Sequence, residues 1–184
     1  AALIATQRLG VALPDPMLAA LVRDPKLDDA LRAAALAALS ARNTSVDLAE
    51  LSSQALRSEA LKVRQQAIKT LCSASPSQGV AAAAKLIQDK SQPIALRQSS
   101  VRSLANVSGS ETLLKKLLSD FQESKLDRSL ALDLFETWKS DERMTTPETV
   151  DLLDLARDGG DISRGRVLFQ THSQAQCSRC HRVG

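Results

Sequence analysis

Four segments of the chain align without gaps: LRAAALAAL at residues 31–39, VRQQAIKTL at 63–71, LRQSSVRSL at 96–104 and DRSLALDLF at 127–135. The arginine in second place recurs after 32, 33 and 31 residues (64−32, 97−64 and 128−97). Apolar residues four and seven positions after each arginine fall on one face of a helix. A period of this length is typical of a helical solenoid, in which each unit buries its apolar face against its neighbours.

A second apolar stripe with helical spacing precedes three of these segments, at residues 46–55, 80–87 and 113–121. Turn and cap signals stand between the stripes. They are Asp24-Pro25, Ser75-Pro76, Gln92-Pro93 and Ser108-Gly109. Each unit is therefore predicted to be a helix, a short turn and a second helix.

The composition favours an all-helical fold and excludes several functions. Aromatic residues make up only 2% of the chain and the net charge is +3, with no polybasic run. Such a chain offers nucleic acids neither a charged surface nor a stacking platform. No apolar run reaches the length of a membrane span. Cys72 lies on an apolar helix face with Ile68 and Leu71, and we expect it to be a buried structural thiol.

Three aspartates show a further regularity. Asp24, Asp89 and Asp120 each lie eight residues before a repeat arginine (32−24, 97−89 and 128−120). An aspartate in the turn between paired helices can accept hydrogen bonds from an arginine, which predicts a structural ladder of these residues with Arg32, Arg64, Arg97 and Arg128. The alternative is a row of anion-binding arginines. Leu56 replaces the aspartate in the second unit, so there the ladder should be broken or pass to Glu59.

This pattern resembles the HEAT-repeat (armadillo-like) family over residues 14–138. The resemblance implies an all-α fold, a right-handed α-α superhelix of about four to five helix pairs. It also implies a concave face, lined by the second helices, that binds partner proteins. We expect that face to expose Gln65, Lys69, Gln98, Arg102 and Asp133.

The end of the chain carries a different signal, the C-x-x-C-H motif of Cys177, Cys180 and His181. Two thiols at this spacing can attach one haem covalently, and the histidine can then ligate its iron. Three alternatives are a zinc site, a redox-active dithiol and a chance occurrence. Zinc lacks an evident fourth ligand, and a redox dithiol is expected in a βαβ setting that this sequence does not show.

The stretch before the motif resembles the first helix of class I cytochromes c. The residues that carry this likeness are Gly160-Asp161, Arg164-Gly165 and Leu168-Phe169, on a helix predicted from residue 162 to about 171. The resemblance implies that Cys177 and Cys180 form the thioethers and that His181 is the proximal iron ligand. The distal ligand and C-terminal helix of that family have no counterpart here, so we expect haem c in the parent protein rather than in this fragment.

We therefore expect two domains, a HEAT-like repeat domain at residues 1–158 and the start of a cytochrome c domain at 159–184. The combination resembles large haem-binding C-x-x-C-H proteins typical of planctomycetes, including membrane-bound dehydrogenases. This implies a periplasmic or otherwise exported protein in which the repeats position a haem for electron transfer from a dehydrogenase domain. Its partners would be other domains or a redox protein. The alternative is a general protein-interaction scaffold, and no catalytic residues are evident.

Overall fold

The structure, a computed structural model, describes residues 13–140 and 162–171 of the chain. Within these ranges the regular structure is entirely helical, which confirms the predicted all-α class. The helices are α1 (Asp15–Arg23), α2 (Asp29–Ser40), α3 (Leu48–Ala55), α4 (Leu61–Ala74), α5 (Pro76–Gln88), α6 (Ile94–Arg102), α7 (Glu111–Gln122), α8 (Ala131–Ser140) and α9 (Ile162–Thr171). A 3-10 turn, Arg128–Leu130, directly precedes α8.

The first eight helices form four consecutive pairs. Helix α1 packs on α2, α3 on α4, α5 on α6 and α7 on α8, as the alternation of apolar stripes predicts. The second helices of the pairs also contact one another in series, α2 with α4, α4 with α6 and α6 with α8. The handedness of this stack, a right-handed superhelix, stays a prediction from the resemblance.

Local sequence sets the helix starts. The Asp28 carboxylate accepts hydrogen bonds from the amides of Ala30 and Leu31, at 2.9 and 3.1 Å, and so caps α2. Asp47 caps α3 through the amide of Glu50 at 3.0 Å. These side chains satisfy amides that the first helical turn leaves without partners. Pro76 occupies the first position of α5, where a proline needs no amide hydrogen bond.

The apolar residues predicted to form the core do so in three of the four segments. The residues four and seven positions after the arginine are at most 2% exposed there, namely Leu36, Leu39, Ile68, Leu71, Val101 and Leu104. Helix α4 joins the two halves of the core, because its start packs with α1–α3 and its end with α5–α8.

The prediction is wrong for Leu132 in the fourth segment, which is only half-buried. Leu130 and Leu134 are fully buried instead. The 3-10 turn at Arg128–Leu130 delays the start of α8 and so rotates the residues that follow relative to the other units.

Cys72 is buried as predicted, at a close contact between two helices. Only Ser75 separates α4 from α5, and the two helices cross where Gly79 faces Cys72. A Cβ atom at Gly79 would lie 2.4 Å from the Cα atom of Cys72 and 2.7 Å from its backbone nitrogen. Burial raises the pKa of the Cys72 thiol to about 11, so it stays protonated at neutral pH.

Substitution of Gly79 by alanine should therefore lower the free energy of unfolding by about 3 kcal/mol. The cause is that the methyl group meets backbone atoms, which cannot rotate away. Urea denaturation followed by circular dichroism measures this. Gly165→Ala is the matched control, because a Cβ there meets nothing within 4 Å. Equal stability of the two variants would contradict the close crossing.

Candidate functional site

Three of the four repeat arginines donate to the same place in their units, a backbone carbonyl at the end of the preceding helix. Arg32 Nε donates to Val22 O at 3.2 Å, and Arg97 Nε donates to Ile87 O at 3.0 Å. Arg64 Nε donates to the carbonyl of Leu56, just past α3, at 3.1 Å. A helix leaves its last carbonyls without partners, and these guanidinium groups satisfy one of them in each of the first three pairs.

Two of these arginines also reach into the next unit. Arg64 Nη2 donates to Gln92 Oε1 at 2.5 Å, and Arg97 Nη1 donates to Asp127 Oδ2 at 2.8 Å. Hydrogen bonds, first from Ser129 and then from Arg97, hold the pKa of the Asp127 carboxyl below its usual range. Asp127 is thus ionised at neutral pH. We call this set of contacts of Arg32, Arg64 and Arg97 the arginine ladder.

The prediction that aspartates eight residues before the repeat arginines accept their hydrogen bonds is wrong for Arg32, Arg64 and Arg97. Asp24 accepts from the amide of Lys26, and Asp120 accepts from Lys116 Nζ. Asp89 accepts from the amide of Ser91 and from Gln92 Nε2, so it orients the glutamine to which Arg64 donates. Two of these aspartates thus bond amides of their own turn, whose donors are nearer. The fourth arginine, Arg128, is exposed at the start of the 3-10 turn.

A second series of contacts, which we did not predict from the sequence, links the second helices. Gln65 Nε2 donates to Ala95 O at 3.0 Å, and Gln98 Nε2 donates to Ser129 O at 2.9 Å. Both glutamines directly follow a repeat arginine, so the recurring Arg-Gln pair was the available signal. Arg102 adds an ion pair with Asp133 at 2.5 Å.

The expectation that Gln65, Lys69, Gln98, Arg102 and Asp133 are all exposed on the face of the second helices is wrong for most of them, because several make these contacts. Gln98 and Asp133 are buried, at 4% and 2% exposure, because they hold neighbouring units together. Gln65 and Arg102 are half-buried, and Lys69 is exposed as expected.

An open groove of about 820 Å³ crosses α2, α4 and α6 on this face. Its α2 wall is a stripe of small side chains, and its α4 and α6 walls carry three cations. Among the residues that the structure describes, no acidic side chain lines it. We call it the second-helix groove, lined by Ala30, Ala33, Ala34, Ala37, Leu61, Lys62, Gln65, Gln66, Lys69, Ala95, Ser99, Arg102 and Ser103.

The haem motif lies elsewhere in the chain. Cys177, Cys180, His181 and the proposed boundary at residues 158–159 fall outside the described residues, so their predicted roles stay predictions. Helix α9, Ile162–Thr171, has the bounds predicted for the first cytochrome helix. Its Val167 and Leu168 are 57% and 47% exposed. In residues 13–140 and 162–171, His, Cys, Asp and Glu side chains form no cluster of three or more that could hold a metal.

No known protein family, curated protein or solved structure matches this chain. Among its described helices, none combines the length and apolar character needed to cross a membrane.

The arginine ladder predicts that Arg97→Lys and Arg97→Ala both destabilise the fold, by about 2–3 kcal/mol. Arg97 is 5% exposed and donates to a carbonyl and a carboxylate at once, which a lysine, with one nitrogen, cannot do in this geometry. Thermal and urea denaturation measure the effect. Lys85→Ala serves as the control, since Lys85 is an exposed cation of α5. If the Arg97→Lys variant is as stable as the natural chain, the positive charge at this position, and not the paired hydrogen bonds, accounts for the stabilisation.

Proposed function

We propose that this chain is the helical-repeat carrier of a covalently attached haem c in a larger, exported electron-transfer protein. The observation that carries the proposal is the C-x-x-C-H motif at residues 177–181, six residues after the end of α9 at Thr171. Two thiols and an imidazole are the donor set that haem c requires. Cys177 and Cys180 would hold the porphyrin, and His181 would ligate the iron.

The described helix supports this proposal in one respect. Helix α9 carries the apolar residues Val167, Leu168 and Phe169, of which the first two are exposed and the third is half-buried. The first helix of a cytochrome c presents such a surface to the rest of its domain. When bound, haem c supplies one-electron transfer.

The repeat stack would contribute position and stiffness. The Arg64 and Arg97 contacts of the arginine ladder, the Gln65 and Gln98 contacts and the Arg102–Asp133 pair all connect one unit to the next. A stack held by several inter-unit contacts resists bending at its joints. Because electron transfer weakens steeply with distance, a stiff carrier would keep the haem at a set distance from its electron donor.

Covalent haem content tests this function. We expect the full open reading frame that contains this chain, exported in a host with haem-maturation machinery, to retain a c-type spectrum after acid-acetone extraction. Cys177→Ser with Cys180→Ser should abolish the spectrum, because no thioether can then form. Cys72→Ala is the matched control, since it removes the buried thiol outside the motif and should leave haem content unchanged.

Two results would contradict the haem proposal. One is a protein without covalent haem in spite of active maturation. The other is stoichiometric zinc, measured by mass spectrometry, that depends on Cys177 and Cys180.

A second candidate function is a protein-interaction scaffold, and the second-helix groove favours it. The alanines of α2 recur at positions 30, 33, 34 and 37, so they form one face on which a partner helix can approach closely. Lys62 and Lys69 are exposed along the same groove. This combination suits an amphipathic helix with a small apolar face and an acidic flank.

This scaffold function predicts a charge preference. A helical peptide with an alanine-leucine face and glutamate flanks should bind more tightly than its lysine-flanked counterpart in fluorescence polarisation. The double variant Lys62→Glu with Lys69→Glu should weaken binding of the acidic peptide by roughly tenfold or more, because two attractive charge interactions become repulsive. The pair Lys85→Glu with Lys90→Glu, outside the groove, is the control. Equal binding of both peptides would contradict this function.

A further inference from the structure

A second cavity, of about 400 Å³, lies where the ends of α1 and α3 meet. Of the described residues that line it, three are cationic, namely Arg23, Arg32 and Arg57, and none is acidic. Gln54 and Ser58 add polar atoms to its wall, and Val22, Leu51 and Ala55 form its apolar part. We call it the arginine cavity.

The arginine cavity coincides with a missing contact in the ladder. Arg64 and Arg97 each find an acceptor in the following unit, Gln92 and Asp127. Arg32 donates through Nε to Val22 O but makes no hydrogen bond through its Nη atoms within the described residues. Its one ion pair, with Asp29, is long at 3.8 Å.

The second unit offers Arg32 no substitute acceptor. Glu59 stands five residues before Arg64, as Gln92 stands five before Arg97 (64−59 and 97−92). Glu59 is nevertheless exposed and forms no salt bridge with Arg32, so the predicted passage of the ladder to Glu59 does not occur. Arg32 remains more than nine-tenths buried, at 7% exposure. Because Arg32 lines the cavity and its Nη atoms have no hydrogen-bond acceptor within the described residues, an anion in the cavity can accept hydrogen bonds from them.

The surrounding charges also favour an anion. Arg57 is exposed and makes no side-chain hydrogen bond or ion pair within the described residues. Arg23 is held toward Gln54, whose Oε1 accepts from its Nε at 3.5 Å. The C-terminal ends of α1 and α3 carry partial negative charge, which disfavours a bound anion. Hydrogen bonds from Arg32 to Val22 O and from Arg64 to Leu56 O offset part of that charge. Asp29, 52% exposed, is the carboxylate paired with Arg32.

We propose that the arginine cavity binds a phosphate-type dianion, which takes the place of the acceptor missing from the ladder. Guanidinium groups bind phosphate through paired, charge-assisted hydrogen bonds. Arg32 supplies donors from the wall of the cavity, and the exposed Arg23 and Arg57 add positive charge on its solvent side. The bound anion links the first unit to the second, as Gln92 and Asp127 link the later units.

The test is titration of the chain with inorganic phosphate at constant ionic strength, by calorimetry and thermal denaturation. We expect saturable binding and a rise in Tm of about 3–5 °C at tenfold excess over Kd. Arg57→Gln should raise Kd by roughly tenfold or more without affecting the fold, because its side chain has no other partner. Arg166→Gln, an exposed arginine of α9, should bind phosphate as the natural chain does.

A variant that completes the ladder tests the same site from the opposite direction. Ser58→Asp places a carboxylate in the cavity and can still accept from the amide of Ala60, as the Ser58 hydroxyl does at 3.2 Å. It should raise Tm without phosphate and abolish phosphate binding. Absence of saturable binding, or equal binding by Arg57→Gln, would overturn the proposal and leave Arg23 and Arg57 as partners of helix ends alone.

A phosphate monoester distinguishes the source of the anion. If glycerol phosphate binds as well as inorganic phosphate, the site admits a phosphate carried on a larger molecule. If only inorganic phosphate binds, the site holds the free ion. Either result is compatible with the arginine cavity as a phosphate site.

Discussion

The hydrogen bond from a repeat arginine to the carbonyl end of the preceding helix is the interaction on which the stack depends. It joins the two helices of a pair at Arg32, Arg64 and Arg97, and it satisfies a carbonyl that the helix itself leaves open. Because Nε makes this hydrogen bond, the two Nη atoms of each guanidinium are left for other acceptors. In Arg64 and Arg97 they reach the next unit, so one side chain organises both the pair and the joint.

Two series of contacts join neighbouring units and have different consequences for function. The arginine ladder joins units through turn residues, and Arg32, which lacks such a contact within the described residues, lines a cationic cavity between α1 and α3. Gln65 and Gln98 join the second helices to the units that follow and draw polar groups into the interior. On the face of the second helices, the alanine stripe with Lys62 and Lys69 gives the groove its shape and charge.

Helix crossings set a third constraint on this chain. Because only 2% of the residues are aromatic, the core consists mainly of alanine, leucine and other aliphatic side chains. Small side chains such as alanine allow neighbouring helices to approach closely. Gly79 and Cys72 meet at one such approach, where the glycine allows α5 to fold back on α4 after a single linking residue. The position of every later unit follows from that crossing, because α4 belongs to both halves of the core.

The sequence by itself determined the helices, their pairing, the equivalence of the first three arginine segments and the burial of Cys72, because apolar periodicity and capping residues act locally. It also carried the C-x-x-C-H motif, whose chemistry depends on two cysteines and one histidine at a fixed spacing. Only the tertiary structure decided which acceptors the arginines use, since a helix-end carbonyl competes with an aspartate according to distance. It likewise decided the burial of Gln98 and Asp133, the rotated register at Leu132 and the two cavities. These features arise between units, where residues about thirty positions apart meet, and the sequence of one unit does not contain that geometry.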